Sequence, residues 1–296
     1  MKLALIFNPA SAHFRAAKLL PEIKSTFARS GVELDVFQTA FPGHGTELTL
    51  QLDLTKYDGV VAGGGDGTLF EVINGYYRNP AQREIPLGIL PIGTGNAVAR
   101  DLDLDATRWH EAVEIICANR RRRMDVGRCR TKENEFYYLN ILGLGFVADV
   151  VAIANKLKSL GNVSYTIGVL WRTIFLKSNR LSIELDGALL ERDTIFVEIS
   201  NTRWTSNFLM APNAKIDDGL LDVTILRTLS RTRLLQCFPK IFTGAHITMP
   251  EVEQIKARHI KIVSDSPKIL TPDGELFGTT PIEVECLPGA IEVFWK

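Results

Sequence analysis

Val60-Val61-Ala62-Gly63-Gly64-Gly65-Asp66-Gly67-Thr68 decides the reading of this chain. A short apolar strand runs into a glycine loop, and a helical pattern from about Thr68 to Tyr77 follows at once. Glycine lets main chain approach a ligand closely. A helix N-terminus offers unpaired N–H groups and the positive end of the dipole, so the loop is built for an anion. Thr68 suits an N-cap or a phosphate contact, with Glu71 three residues on as a capping-box partner. Asp66 is the odd element, because a carboxylate aimed at phosphate is repulsive unless a divalent cation lies between them. It is assigned to Mg²⁺-nucleotide.

A second loop, Pro91-Ile92-Gly93-Thr94-Gly95-Asn96, follows another apolar strand (Leu87–Leu90) and also opens a helix. Two such loops at the carboxyl ends of neighbouring parallel strands share one crevice, where open α/β sheets bind ligands. Neither has the GxxxxGK[ST] or GxGxxG spacing, so P-loop and Rossmann assignments fail. Outward from these loops, strands at Leu3–Phe7 and Val32–Phe37 alternate with helices near 14–29 and 45–53, which predicts a parallel sheet covered on both faces. After about residue 128 the pattern changes to short β-rich runs: Tyr137–Leu142, Leu181–Leu185, Thr194–Ser200, Leu220–Leu226, Ile255–Val263, Ile282–Cys286 and Ile291–Trp295. Helical stretches near 163–177 and 230–242 interrupt them, and the whole reads as a mainly antiparallel sheet or sandwich. The expected domains are 1–128, with 288–296 a candidate addition to it, and 129–287.

Length and composition agree with two ordinary globular domains: 296 residues, 34 basic and 34 acidic, 46% apolar. Zero net charge argues against a nucleic-acid-binding surface. The four cysteines have no CxxC spacing, so no zinc site is expected, and buried free thiols are. The apolar run at the N-terminus is too short for a signal peptide, and no window is long enough to span a bilayer; a cytoplasmic protein is expected. The run Arg120–Lys132 is rich in arginine and is read either as a patch for anionic lipid or as a solvated helix end. Trp171, Phe175 and Leu176, with Arg172, Lys177 and Arg180, form an amphipathic segment, for which core packing is expected over membrane contact. Asp273-Gly274-Glu275 offers two carboxylates able to take a proton from an alcohol, and Asp-Gly is also the commonest hairpin turn. Asp217-Asp218-Gly219 reads as an acidic turn or a divalent-cation site. No histidine pair has metal-ligand spacing, and His44, between two glycines, is the one to test.

Gly64-Gly65-Asp66-Gly67-Thr68, Asn74-Gly75 and Pro91–Asn96 resemble the diacylglycerol kinase catalytic family, which includes bacterial lipid kinases, sphingosine kinases and ceramide kinases. The resemblance extends through Asn8-Pro9, Thr39 with Gly43-His44, Gly143-Leu144-Gly145-Phe146, Ala211-Pro212, Asp217–Val223 and Asp273–Glu275. It implies a nucleotide domain like that of phosphofructokinase and NAD kinase, a β-sandwich lipid domain, and ATP in the cleft between them. The γ-phosphate would pass to a lipid hydroxyl, of diacylglycerol or a sphingoid-type lipid. On this resemblance Asn8, Pro9, Ala10, Ser11, Ala12, Thr39, Gly64, Gly65, Asp66, Gly67, Thr68, Leu69, Phe70, Glu71, Thr94 and Asn96 contact the nucleotide. Asp218 and the main chain at Lys215 and Leu220 hold a structural Mg²⁺. Asp273 and Glu275 supply the base, with Asp66 also catalytic. The chain departs from the family at Ala10–His13, where glycine is usual, and at Ala97, where many diacylglycerol kinases carry Asp. The expected partner is lipid at the inner membrane face, touched peripherally, and a homodimer is a further option. An NAD kinase-like enzyme and a non-catalytic ATP- or lipid-binding regulator are the alternatives. A phosphofructokinase is excluded, since the nucleotide half has no TxD loop.

Overall fold

The computed structural model describes residues 1–81, 84–156 and 163–296. It divides into two compact units, Met1–Met124 with Gly289–Lys296, and Asp125–Pro288. The chain therefore passes between them at residues 124/125 and 288/289.

The first unit is built on parallel strands β1 (Lys2–Phe7), β2 (Glu33–Gln38), β3 (Gly59–Gly64) and β4 (Leu87–Pro91), in the order β2-β1-β3-β4. The returning C-terminal segment adds beside β4, Val293 pairing in parallel with Leu87. Leu3, Ala4, Leu5, Ile6 and Phe7 are all fully buried, as a strand covered on both faces must be. Helices α1 (Arg15–Arg29), α2 (His44–Gln51), α3 (Asp66–Arg78), α4 (Ala97–Asp101) and α5 (Trp109–Cys117) occupy the crossovers. Ile23 and Phe27 of α1 and Val113 and Ile116 of α5 are buried; each pair is spaced to share one helix face.

The second unit is antiparallel. Its strands are β5 (Arg121–Arg130, begun in the first unit), β6 (Glu135–Tyr138), β7 (Ile141–Gly145), β8 (Asn179–Leu185), β9 (Ala188–Ser200), β10 (Trp204–Thr205), β11 (Phe208–Leu209), β12 (Leu221–Arg227), β13 (Val252–Ala257), β14 (His259–Ser264), β15 (Leu270–Pro272) and β16 (Ile282–Phe294, ending in the first). The long β9 pairs β8 through residues 188–194, and then β12 and β7 through 194–200. Helices α6 (Phe146–Lys156), α7 (Val163–Ile174) and α8 (Arg231–Cys237) accompany this sheet. Phe146, Val150, Val169, Phe196, Met210, Leu234 and Phe238 form a buried apolar cluster that draws on all three helices.

Several boundaries differ from the sequence pattern for local reasons. The run 255–263 is two strands that part at Arg258: β13 pairs with β12 and β14 with β8 and β16, and at the break the Asp186 carboxylate accepts from the N–H groups of Arg258 and His259. The arginine-rich run is strand rather than helix end: Arg128 to Cys129 pair with Tyr137 and Phe136 of β6. All four cysteines are free thiols, and Cys129, Cys237 and Cys286 are buried. No helix among the described residues is long and apolar enough to cross a membrane.

Candidate active site

In the first unit, the carboxyl ends of β1, β3 and β4 converge through three asparagine- and glycine-based loops. Asn8 follows β1. Its N–H donates to the Gly63 carbonyl (2.9 Å), its Oδ1 accepts from Ala10 N–H (3.0 Å), and its Nδ2 donates to Thr68 Oγ1 (3.1 Å). One side chain thus fixes the first loop and ties it to the first turn of α3. Thr39, at the end of β2, donates its N–H to the Phe7 carbonyl (2.8 Å), placing it beside the same edge.

The two glycine loops are packed main chain on main chain. The Gly64 carbonyl accepts from both Ile92 N–H (3.1 Å) and Gly93 N–H (3.0 Å). A Cβ on Gly93 would lie 2.3 Å from Gly65 Cα, and one on Gly64 only 2.2 Å from Thr68 Oγ1. Glycine is required here by space, not by positive φ. Asn96, buried in the left-handed region (φ 52°), pins its own loop: Nδ2 donates to the Gly93 carbonyl (2.8 Å) and Oδ1 accepts from Gly93 N–H (3.2 Å). Thr94 at the loop tip is exposed, whereas Leu69 and Phe70 are buried core residues of α3. What remains open to a ligand is a helix N-terminus with main chain brought close, the arrangement that binds phosphate.

Two carboxylates of α3 hold main chain from other segments. Asp66 Oδ1 accepts from Ala97 N–H (2.7 Å) and so caps α4, joining the two loops. Burial pushes its carboxyl up to about 6, against the opposing pull of the Ala97 and Val98 N–H groups. Glu71 does not close a capping box with Thr68. Its oxygens accept from Gly43 N–H (2.7 Å) and Gly45 N–H (2.8 Å), capping α2 across 26 and 28 residues of sequence. Among the other loop residues, Ala12, His13 and Phe14 sit one after another at φ 49°, 57° and 64°. These are left-handed positions that glycine would fill with less strain.

In the second unit, Asp273 and Gly274 form the turn after β15, at φ 47° and 85°. The Asp-Gly pair makes the turn, and the Asp273 side chain is buried. Its Oδ1 accepts from Asn140 N–H (3.2 Å) and Ile141 N–H (3.0 Å), and Oδ2 from Leu139 N–H (3.5 Å). Glu275 N–H donates to the Pro272 carbonyl (2.8 Å), closing the turn. Asn201 braces the same loop, Nδ2 donating to the carbonyls of Asp125 (2.8 Å) and Leu139 (3.0 Å).

Asp218 lies in the acidic turn, where the resemblance places a Mg²⁺ on Asp218 and the main chain of Lys215 and Leu220. Its Oδ1 accepts from Leu220 N–H (3.2 Å), and its Oδ2 lies 2.6 Å from the Lys256 ammonium, which also reaches Asp222 (3.2 Å). An internal cation therefore stands where the metal was expected. The described residues contain no group of three or more His, Cys, Asp and Glu able to hold a metal ion. The expected set at this turn is one carboxylate, Asp218, with the main chain at Lys215 and Leu220, and the Lys256 ammonium lies against that carboxylate.

Sequence reasoning missed Asp125, whose Oδ2 accepts from Gly219 N–H (2.7 Å) and holds the acidic turn from below. It also missed Glu198, buried in β9 with Oε2 unpaired and its carboxyl raised to about 8 by burial. Glu198 is an acid inside an apolar strand pattern, and that contrast was the available signal.

A parallel unit with phosphate-type loops and an antiparallel unit carrying a held carboxylate are the parts a phosphotransferase needs. Residues 2–129 match the family model for the diacylglycerol kinase catalytic domain, and residues 140–295 that for the YegS C-terminal NAD kinase beta sandwich-like domain. The chain is 30% identical to a diacylglycerol kinase of Mycobacterium tuberculosis, covering 99% of this chain and 94% of that one. It is 28% identical to a diacylglycerol kinase of Bacillus subtilis (94% and 91% covered) and 25% identical to sphingosine kinase 1 of Arabidopsis thaliana (93% and 66%). A crystal structure assigned to a diacylglycerol kinase of Bacillus anthracis superposes with a TM-score of 0.83 at 26% identity, covering 100% of this chain and 97% of that one. The chain belongs to the diacylglycerol kinase family and is a lipid kinase.

Proposed function

We propose that the chain transfers the γ-phosphate of ATP to the hydroxyl of a diacylglycerol-type lipid. The observation that carries the nucleotide half is the seam of Gly64, Gly65 and Gly93, beside which Gly65, Asp66 and Gly67 at the α3 N-terminus stay partly exposed, where phosphate can approach. The diacylglycerol half rests on the bacterial relatives, which match over nearly the whole chain and bear that name. Mg²⁺ would enter with the nucleotide and neutralise its phosphates.

The acceptor oxygen forms a bond to the γ-phosphorus, and the bond from that phosphorus to the β,γ-bridging oxygen breaks. ADP carries away the electron pair, and the acceptor proton passes to a carboxylate. Asp273 and Glu275 are assigned that role. Asp273 is held by main-chain N–H groups, so its carboxylate is positioned without side-chain freedom. Asp66 acts indirectly, by joining the two loops that frame the phosphates.

The test is transfer of radiolabel from ATP to a panel of diacylglycerol, sphingosine, ceramide and an isoprenoid alcohol in mixed micelles. Asp273→Asn keeps an oxygen acceptor for the Asn140 and Ile141 N–H groups while removing the base. It is expected to bind nucleotide normally and to lose about 10²-fold or more in turnover of diacylglycerol. Turnover of sphingosine alone would move the substrate, and a fully active Asp273→Asn would remove Asp273 from the chemistry.

A further inference from the structure

Helix α7 is amphipathic the wrong way round for a helix facing water. Among its described residues the inward face carries Gly168, Val169, Arg172 and Thr173. Gly168 meets α6 so closely that a Cβ would lie 3.0 Å from the Val150 carbonyl oxygen. One turn on, Arg172 pairs with Asp149 of α6, and Thr173 is buried with its hydroxyl donating to the Val169 carbonyl (2.7 Å). Among the described residues on this side, Val169 joins the buried apolar cluster. The outward face carries Leu170, Trp171 and Ile174, with Phe175 just beyond the last turn, and these are 50, 58, 53 and 51% exposed. At 100° per residue they fall on the side opposite Gly168, Val169, Arg172 and Thr173. The core packing expected for Trp171 and Phe175 does not occur. Helix α8 packs beside α7, and Leu235 on it and Phe242 just after it are also exposed, at 42% each.

Charge identifies what covers this face. From Val163 to Ile183 the sequence contains no acidic residue, and Lys177 and Arg180, just beyond the exposed aromatics, are both exposed. An apolar face with Trp and Phe at its centre and cations at its margin matches the interface of a bilayer with anionic headgroups. At 12 residues, α7 is about 18 Å long, too short to span hydrocarbon and suited to lie in the interface. The arginine-rich run is poorly placed for the same task. Arg121 pairs with Glu292 (3.4 Å), Arg123 donates to the Gly289 carbonyl (3.0 Å), and Arg122 lies over the Trp295 ring (4.9 Å).

We infer that the outer face of α7, centred on Trp171 and Phe175, docks this protein on an anionic phospholipid bilayer by shallow insertion. The inference gains its purpose from the lipid-kinase reading, since the substrate resides in that bilayer, but its evidence is independent of which lipid is phosphorylated.

Flotation with vesicles of phosphatidylcholine, with and without phosphatidylglycerol, tests it on the full chain. Wild type should bind the anionic vesicles, and Trp171→Ala/Phe175→Ala should bind about tenfold or more weakly with an unchanged unfolding temperature. Arg121→Ala/Arg123→Ala should bind nearly as wild type. Intrinsic fluorescence should shift to the blue on vesicle addition, and Trp171→Phe should remove that shift. With a short-chain, water-soluble diacylglycerol, the double variant should turn over as wild type, and lose rate only on vesicles. Full vesicle binding by the double variant overturns the inference. So does a wild-type dimer that the double variant converts to monomer with vesicle binding intact, because a second copy would then cover the face. If no lipid is phosphorylated yet wild type binds vesicles through Trp171 and Phe175, the kinase proposal fails and the docking surface stands.

Discussion

Gly93→Ala probes the seam between the two glycine loops most directly. The new Cβ would lie 2.3 Å from Gly65 Cα and 2.7 Å from Gly65 N, both main-chain atoms that cannot rotate away. Ordinary carbon contacts are about 3.5–4.0 Å, so the loops must part by about 1.2 Å or more. Overpacking of that kind costs about 1–3 kcal/mol. The separation also stretches the two hydrogen bonds that the Gly64 carbonyl accepts from Ile92 and Gly93, each contributing about 1 kcal/mol. Partial relaxation leaves a loss of about 2–4 kcal/mol, which corresponds to a fall in unfolding temperature of about 5–15 °C. Gly31→Ala supplies the contrast. Gly31 has φ +69° with nothing within 4 Å of an added Cβ, so it costs only backbone strain, about 1 kcal/mol. Calorimetry measures the stability difference, and titration with a fluorescent ATP analogue measures the site. Gly93→Ala should weaken nucleotide binding about tenfold or more, because the α3 N-terminus moves with its loop, and Gly31→Ala should leave it unchanged. A Gly93→Ala protein no less stable than Gly31→Ala, with wild-type nucleotide affinity, would refute the seam.

Two pH predictions follow from buried carboxyls. Asp66 is raised from 3.8 to about 6, so between those values the folded protein holds a proton that the unfolded chain has released; stability falls as pH rises through that window and levels above it, and Asp66→Asn should flatten this part of the stability curve in urea titrations. Glu198 is raised from 4.5 to about 8, so its contribution declines across the wider window up to pH 8, and Glu198→Gln should unfold at a higher temperature than wild type at pH 8 and lose that advantage near pH 4.

The strand–loop–helix order around Gly63–Thr68 and Pro91–Asn96 was legible because it depends on local chemistry: apolar runs make buried strands, and glycine followed by helix-forming residues makes an anion-binding turn. The change from parallel to antiparallel pattern was legible for the same reason, since strand length and spacing are written along the chain. Partner choice was not. Glu71 looked like a cap for its own helix and caps α2 instead, because the fold brings the Gly43 and Gly45 N–H groups to it from far away in sequence. The Asp66 carboxylate accepts from the N–H of Ala97, 31 residues on in sequence. Asp218 meets Lys256, 38 residues distant, because β12 and β13 pair in a register that sets Asp222 opposite Lys256.

By itself, then, the sequence determined which segments are strands and helices, where two phosphate-type loops lie, and to which family the chain belongs. Those features are encoded in contiguous residues. Only the tertiary structure decided what each carboxylate touches and which way α7 faces. Periodicity shows that a helix has two faces but not which one is turned inward. Here the close approach at Gly168 and the pairing of Arg172 with Asp149 settle it, and leave Trp171 and Phe175 outside.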